Sequence, residues 1–277
     1  QYLTKNNLTF SNKIDITNLK RNESNFDKPS DNLFIKFTNS LSSSKNFNNY
    51  NTYNKLLLVN NIGDYSYQHN SSLNDNVFKS NLVLSSDTFF NINRVTKPRI
   101  KFVTNLNLVS DNIINEDGKS LTFNFHNQFS DSRLFGNDLE DNTTRVIYGL
   151  ENKIEFLEKD IDINLNQSYD LKSSSNYTHK INQTDNFSDI AIEAKASFDG
   201  IFFNIDSRID NNELEKKEMN YSLNYSDQFD LGLNYNETDT KAFKGMSSDT
   251  QSLGVNFAKR LNENIKFSMK SNLNLKD

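Results

Sequence analysis

The chain is 277 residues long, enough for one large β domain or two ordinary domains. Its net charge of −5 comes from interspersed acids and bases, without the basic stripe that nucleic-acid binding requires. Only 35% of it is hydrophobic, little for a soluble core of this size, and the absence of Cys excludes disulfides, zinc thiolates and thiol nucleophiles.

Taken in chain order, the elements alternate with a period of two. Leu8, Phe10, Ile14 and Ile16 stand opposite Thr9, Ser11, Lys13 and Asp15. Between about residues 30 and 95 the pattern is noisier and sets no strand limits. Ile161, Ile163, Leu165 and Tyr169 then face away from Asp162, Asn164, Asn166 and Ser168. In 187–198, Ile190, Ile192, Ala194, Ala196 and Phe198 are set against Asp189, Glu193, Lys195 and Ser197. In 201–210, Ile201, Phe203, Ile205 and Ile209 are set against Asn204, Asp206, Arg208 and Asp210. Asp199-Gly200 between them suits a type I′ hairpin turn, because Gly accepts positive φ. Next come Met219 to Tyr225, Phe229 to Tyr235, Leu253 to Phe257 and Ile265 to Leu275, each alternating in the same way. Successive side chains of a strand point to opposite faces, so every run is a strand with one apolar and one polar face.

A sandwich strand is usually about 5–6 residues, whereas a tilted bilayer-crossing strand needs roughly 9–11. Several runs reach that length, and charge on their polar faces suits a solvated lumen. No apolar run of about 18 residues exists, so a transmembrane helix is excluded. Short turns at 199–200, 226–228 and 260–263 alternate with longer loops at 211–216 and 238–248, as periplasmic turns and outer loops do. Before residue 187 the spacing does not resolve this parity. Phe198 and Phe202, then Tyr225 and Phe229, flank short turns and suggest an interfacial girdle. Against disorder stand 22 Phe and 11 Tyr, gathered in patterned segments. The fold expected is all-β, an antiparallel transmembrane β-barrel with about 12–16 strands in this chain. With Gln1 at the start, no signal-peptide pattern, and an end at Lys276-Asp277 directly after a strand, residues 1–277 are expected to form one partial barrel domain.

A more specific pattern occupies 97–154. Pro98 lies in a strand; Asn115-Glu116-Asp117 follows, then Phe123, Phe129-Ser130, Arg133, Phe135-Gly136, Asp138 and Glu140, and finally Thr144-Arg145 with Tyr148-Gly149-Leu150. This resembles the C-terminal barrel of the lipopolysaccharide-assembly family LptD. There a Pro-containing strand leads to Asn-Glu-Asp-Ser, Arg-Phe-Ser-Gly-x-Asp-Arg, and a strand opening Thr-Arg-x-x-x-Gly-Leu. Ser188-Asp189-Ile190 resembles the family's Ser-Asp-Ile strand start. The likeness covers roughly 80–275, is best over 97–275, and is most specific in 115–150. Gly118, Asn124 and Leu139 depart from the family's Ser, Asp and basic residue, Asp141-Asn142 stands where Gly is common, and the family's clustered Cys is missing. The resemblance implies a Gram-negative outer-membrane barrel that passes lipopolysaccharide sugars through its lumen and releases acyl chains sideways. It also implies a plug lipoprotein like LptE and periplasmic Lpt bridge proteins as partners. The gate strands and the periplasmic domain are not recognisable, and the full gene is expected to encode the latter upstream of Gln1.

Catalysis and cofactors find no support in the residues. His69, His126 and His179 lie scattered without metal-ligand spacing, and no Ser/His/Asp constellation can be assigned. The acidic Asn115–Asp117 and Asp138 either hold a cation bridging lipopolysaccharide phosphates or cap and order a long loop. Arg145 either meets an anionic ligand or pairs in the lumen with Glu151 or Asp138. A porin-like or substrate-specific channel would share the alternation without the 115–150 elements, and a soluble surface adhesin is the third reading.

Overall fold

The computed structural model describes residues 2–3, 8–20, 31–66, 75–93, 95–110, 123–133, 143–156, 158–172, 181, 183, 185–262 and 265–276. They form fourteen strands and one helical turn. The strands are β1 (Tyr2–Leu3), β2 (Leu8–Lys20), β3 (Asp31–Asn46), β4 (Tyr50–Ser66), β5 (Asp75–Phe90), β6 (Thr96–Ser110) and β7 (Thr144–Phe156). The series continues with β8 (Lys159–Lys172), β9 (Ile190–Phe198), β10 (Ile201–Ile209), β11 (Lys216–Ser226), β12 (Asp230–Thr238), β13 (Thr250–Asn262) and β14 (Ile265–Asn274). The helical turn α1 (Phe125–Gln128) lies between β6 and β7.

Each strand pairs antiparallel with its sequence neighbours, in the order β1 to β14 without a crossover. Among the described residues β14 pairs with β13 alone and β1 with β2 alone, so the sheet is open. Connections alternate in length along the whole chain. Short ones fall at 47–49, 91–95, 157–158, 199–200, 227–229 and 263–264; long ones fall at 21–30, 67–74, 111–143, 173–189, 210–215 and 239–249. The parity that spacing leaves unresolved before residue 187 is therefore regular. It is masked in the sequence because the connections 111–143 and 173–189 carry apolar Phe123, Phe125, Phe129 and Ile181, which imitate strand residues. At the hairpin of β9 and β10, Asp199 and Gly200 take φ of 37° and 85°, as a type I′ turn demands.

The two faces are chemically inverted relative to a soluble protein. Phe78, Leu84, Ile100, Phe102 and Leu165 are exposed on the outside, while Lys79, Asp87, Lys101, Arg145 and Asn166 are buried within. Neighbouring residues make the point: Lys101 is 7% exposed and Phe102 39%. Lipid as the outer solvent and water in the lumen explain that inversion. At the short-turn end, rings form chains across strands. Phe47 stacks on Tyr50 at 4.4 Å, and Tyr225, Phe229, Phe257 and Phe267 follow one another at 5.0, 5.6 and 6.2 Å between centroids. That is the position of an interfacial aromatic belt. Phe202 does not join it: it lies opposite Ser197 and Asn224, on the polar face.

The noise between residues 30 and 95 has a physical cause. Leu57 and Val83 point inward, where together with Val103 and Ile147 they form a small apolar patch. Phe125 and Phe129 from the 111–143 connection pack on it. Alternation weakens where the lumen wall must receive a folded-in loop.

Candidate functional site

The site is the lumenal face with the segment 123–133 seated on it. Asn124 caps α1, its side chain accepting the Asn127 N–H at 2.8 Å, and this turns the chain so that Phe125 and Phe129 point at the wall. Their rings meet edge to face at 5.5 Å. Beneath Phe129 the wall is thinned by Gly149. A Cβ there would stand 2.6 Å from the Leu165 carbonyl oxygen and 3.1 Å from Cζ of Phe129.

Charged wall residues then grip the segment. Lys101 donates to the Phe129 carbonyl and to Asp131, each at 2.7 Å, and Lys55 donates to the other Asp131 oxygen at 2.7 Å. Burial opposes ionisation of Asp131, but the charges and hydrogen bonds of Lys101 and Lys55 outweigh it and hold the carboxyl at about 2. Arg145 donates to the Ser130 carbonyl at 2.6 Å and to Thr143 Oγ1 at 2.9 Å. Arg99 lies between the rings of Phe89 and Phe129, at 4.4 and 4.0 Å from their centroids, and pairs with Asp87 and Glu151. At the end of the segment, fully buried Arg133 makes a bidentate pair with fully buried Asp170 of β8, at 3.2 and 3.1 Å.

A second hub sits where three long connections meet. Arg208 of β10 is fully buried. It donates to Asp189 at 2.6 Å, to Glu218 at 3.2 Å, to the Ala242 carbonyl at 2.9 Å and to the Ile181 carbonyl at 2.5 Å. Its guanidinium also lies over Phe123 and Phe243, at 4.7 and 5.4 Å. Lys217 bonds Asp189 and pairs with Asp210 at 2.6 Å. Asp210 opens the loop after β10. Desolvation works against its charge, yet the Glu213 N–H, Lys217 and the Asn212 N–H hold its carboxyl at about 2. At the tip, Lys241 joins Glu213 and Glu215, whose hydrogen bonds and charges raise its pKa.

The family-pattern residues separate into three groups. Phe129, Arg133, Arg145 and Gly149 converge on the seated segment. Tyr148 faces outward, its hydroxyl donating to Gln167, and Pro98 lies near the start of β6, ahead of its first β5 pair, Arg99 with Phe89, where a ladder tolerates a missing donor. Asn115, Glu116, Asp117, Phe135, Gly136 and Asp138 lie outside the described residues, and so do His69 and His179. Of the two partners expected of Arg145, Glu151 accepts from Arg99 and Asp138 lies outside the described residues; Arg145 donates to backbone and hydroxyl oxygens of the connection itself. His126 is exposed beside Glu193 at 3.0 Å, and no cluster of three metal-ligating groups occurs among the described residues. Sequence reasoning missed Asp131, Lys101, Asp170 and Arg99. No local signal marks them: Asp131 lies in a connection, and the pairing of the other three across strands depends on register.

An up-and-down antiparallel sheet, apolar outside and charged within, with long connections at one end and aromatic rings at the other, is the wall of an outer-membrane type of β-barrel. The model of the family LPS transport system D, LptD, matches residues 18–265, and the chain belongs to that family. No curated protein matches the chain. The family is an outer-membrane transport and assembly family, which places the chain's general role in lipopolysaccharide transport.

Proposed function

We propose that the chain lies in the outer membrane of a Gram-negative cell and forms one wall, residues 1–277, of a larger barrel that moves lipopolysaccharide into the outer leaflet. The observation that carries this is the inverted polarity of a sheet matched by the family over 18–265. The lumenal side solvates saccharide while the exposed outer side anchors in lipid. Among the described residues β1 and β14 each pair on one side only, which supports reading the sheet as a wall rather than a closed barrel. Acyl chains then leave sideways between strands. The partners are lipopolysaccharide, an LptE-like plug lipoprotein and periplasmic Lpt bridge proteins, and the role is transport without covalent chemistry. The family-pattern residues that seat the 123–133 segment, Phe129, Arg133, Arg145 and Gly149, act by shaping the lumen.

Depletion of the protein, followed by measurement of lipopolysaccharide accessible at the cell surface, tests the reading. Loss of surface lipopolysaccharide with accumulation inside is expected. Normal surface levels would reject the assembly role in favour of a general channel.

A further inference from the structure

The lumenal face changes character beyond the charged half. Residues directly opposite in an antiparallel sheet share a face. One cross-strand row runs Asn224, Gly232, Asn256 and Lys270. The next runs Ser222, Asn234, Gly254 and Asn272, and a third Asn220, Asn236, Ser252 and Asn274. Of these twelve positions seven are Asn, four are Ser or Gly, and Lys270 alone is charged. Their face is the lumen, because they continue the rows of Phe202, Asn204 and Asp206, which alternate in phase with buried Arg208. The outer rows of the same strands, such as Tyr225, Leu231, Phe257 and Met269, contain no Asn.

The amides also define a groove. The side-chain oxygens of Asn224 and Asn256 lean over Gly232, into space a Cβ would take, and that of Asn272 leans over Gly254. Between the first row and Ser226, Asp230, Ala258 and Ser268 lies a groove of about 460 Å³, within the rough 300–1,000 Å³ range of ligand sites.

We propose that this amide face is the track for uncharged sugar units, a deepening that rests on the lipopolysaccharide reading above. A carboxamide offers both a donor and an acceptor, which matches sugar hydroxyls that donate and accept. Repeated rows with almost no formal charge supply many weak, equivalent hydrogen bonds, and passage requires binding that is weak and multi-site. The charged half cannot do this, since Lys55, Arg99, Lys101 and Arg145 are engaged by the chain's own connection and its neighbours. A phosphorylated sugar would meet Lys270 alone among the three rows.

The test uses the full chain purified in detergent and titrated with maltoheptaose, an uncharged oligosaccharide, by saturation-transfer NMR. Binding that survives high salt is expected. Asn234→Leu with Asn256→Leu should weaken it on the order of tenfold, as two lost hydrogen bonds predict. The Asn234→Gln, Asn256→Gln pair should retain it, and Tyr221→Phe on the outer face serves as control. Heat-modifiable migration of every variant reports that the sheet is folded. No binding by the folded chain, or equal binding by the Leu pair, would overturn the track. A photo-crosslinker at position 256 in cells should capture saccharide; capture of a protein would reassign the face as a seat for a plug. Surface lipopolysaccharide separates the two readings. If depletion abolishes it while the Leu pair restores it fully, the track fails and the assembly role stands. If depletion leaves it normal, the assembly role fails.

Discussion

The ring of Phe129 occupies the space that any side chain at position 149 would need: Cζ lies 3.1 Å from where a Cβ would be, and the Leu165 carbonyl oxygen 2.6 Å from it. The carbonyl belongs to a paired strand and yields little, so Gly149→Ala must push the wall or the ring. Overpacking of this kind costs about 1–3 kcal/mol. Gly149→Ala is expected to lower the thermal unfolding midpoint in detergent and to open the 123–133 segment to limited proteolysis. An unchanged midpoint and cleavage pattern would contradict the seating.

Arg133 and Asp170 are each 0% exposed and bonded through two parallel hydrogen bonds. Removing one partner of such a pair leaves a buried charge and costs about 3–5 kcal/mol, whereas apolar replacement of both is often nearly neutral. Arg133→Met is therefore expected to destabilise more than the Arg133→Met, Asp170→Leu double variant. A double-mutant cycle of unfolding free energies measures this, and additive single effects would show that the pair is not coupled.

Acid should loosen the loops before it unpairs the strands. The carboxyls of Asp131 and Asp210 fall from an ordinary 3.8 to about 2. A depressed carboxylate stabilises fully above its unfolded value and loses that contribution as pH falls through the folded one. Their contribution to stability is therefore complete only above about pH 5 and is lost progressively as pH falls towards about 2. Asp131→Asn and Asp210→Asn should each flatten that decline while lowering stability at neutral pH. Unfolding midpoints across the acid range provide the check; equal acid slopes in variant and parent would rule these groups out as its source.

Much of the fold is legible in the sequence because the signal is redundant. Strands β8 to β14 each repeat the period of two, and Asp199-Gly200 alone dictates its turn. The strand region 31–90 is harder to read because its lumenal face is partly apolar. Leu57 and Val83 are apolar on a polar face because Phe125 and Phe129 cover them, and no local pattern announces a partner about forty or more residues away in the chain. The site was legible only as residue types. Arg133, Arg145 and Gly149 stood out through resemblance, but their partners Asp170, Ser130 and Phe129 are set by the folded path of the 111–143 connection.

The sequence by itself determined an antiparallel sheet with one face for lipid and one for water, because side-chain direction in a strand follows position alone. Only the tertiary structure decided how the watery face is divided. Register set Lys55 and Lys101 where both reach Asp131 of a folded-in loop, and aligned Asn224, Gly232 and Asn256 side by side on the same wall. Register is a relation between strands, fixed by the packing of whole faces, so no single segment encodes it.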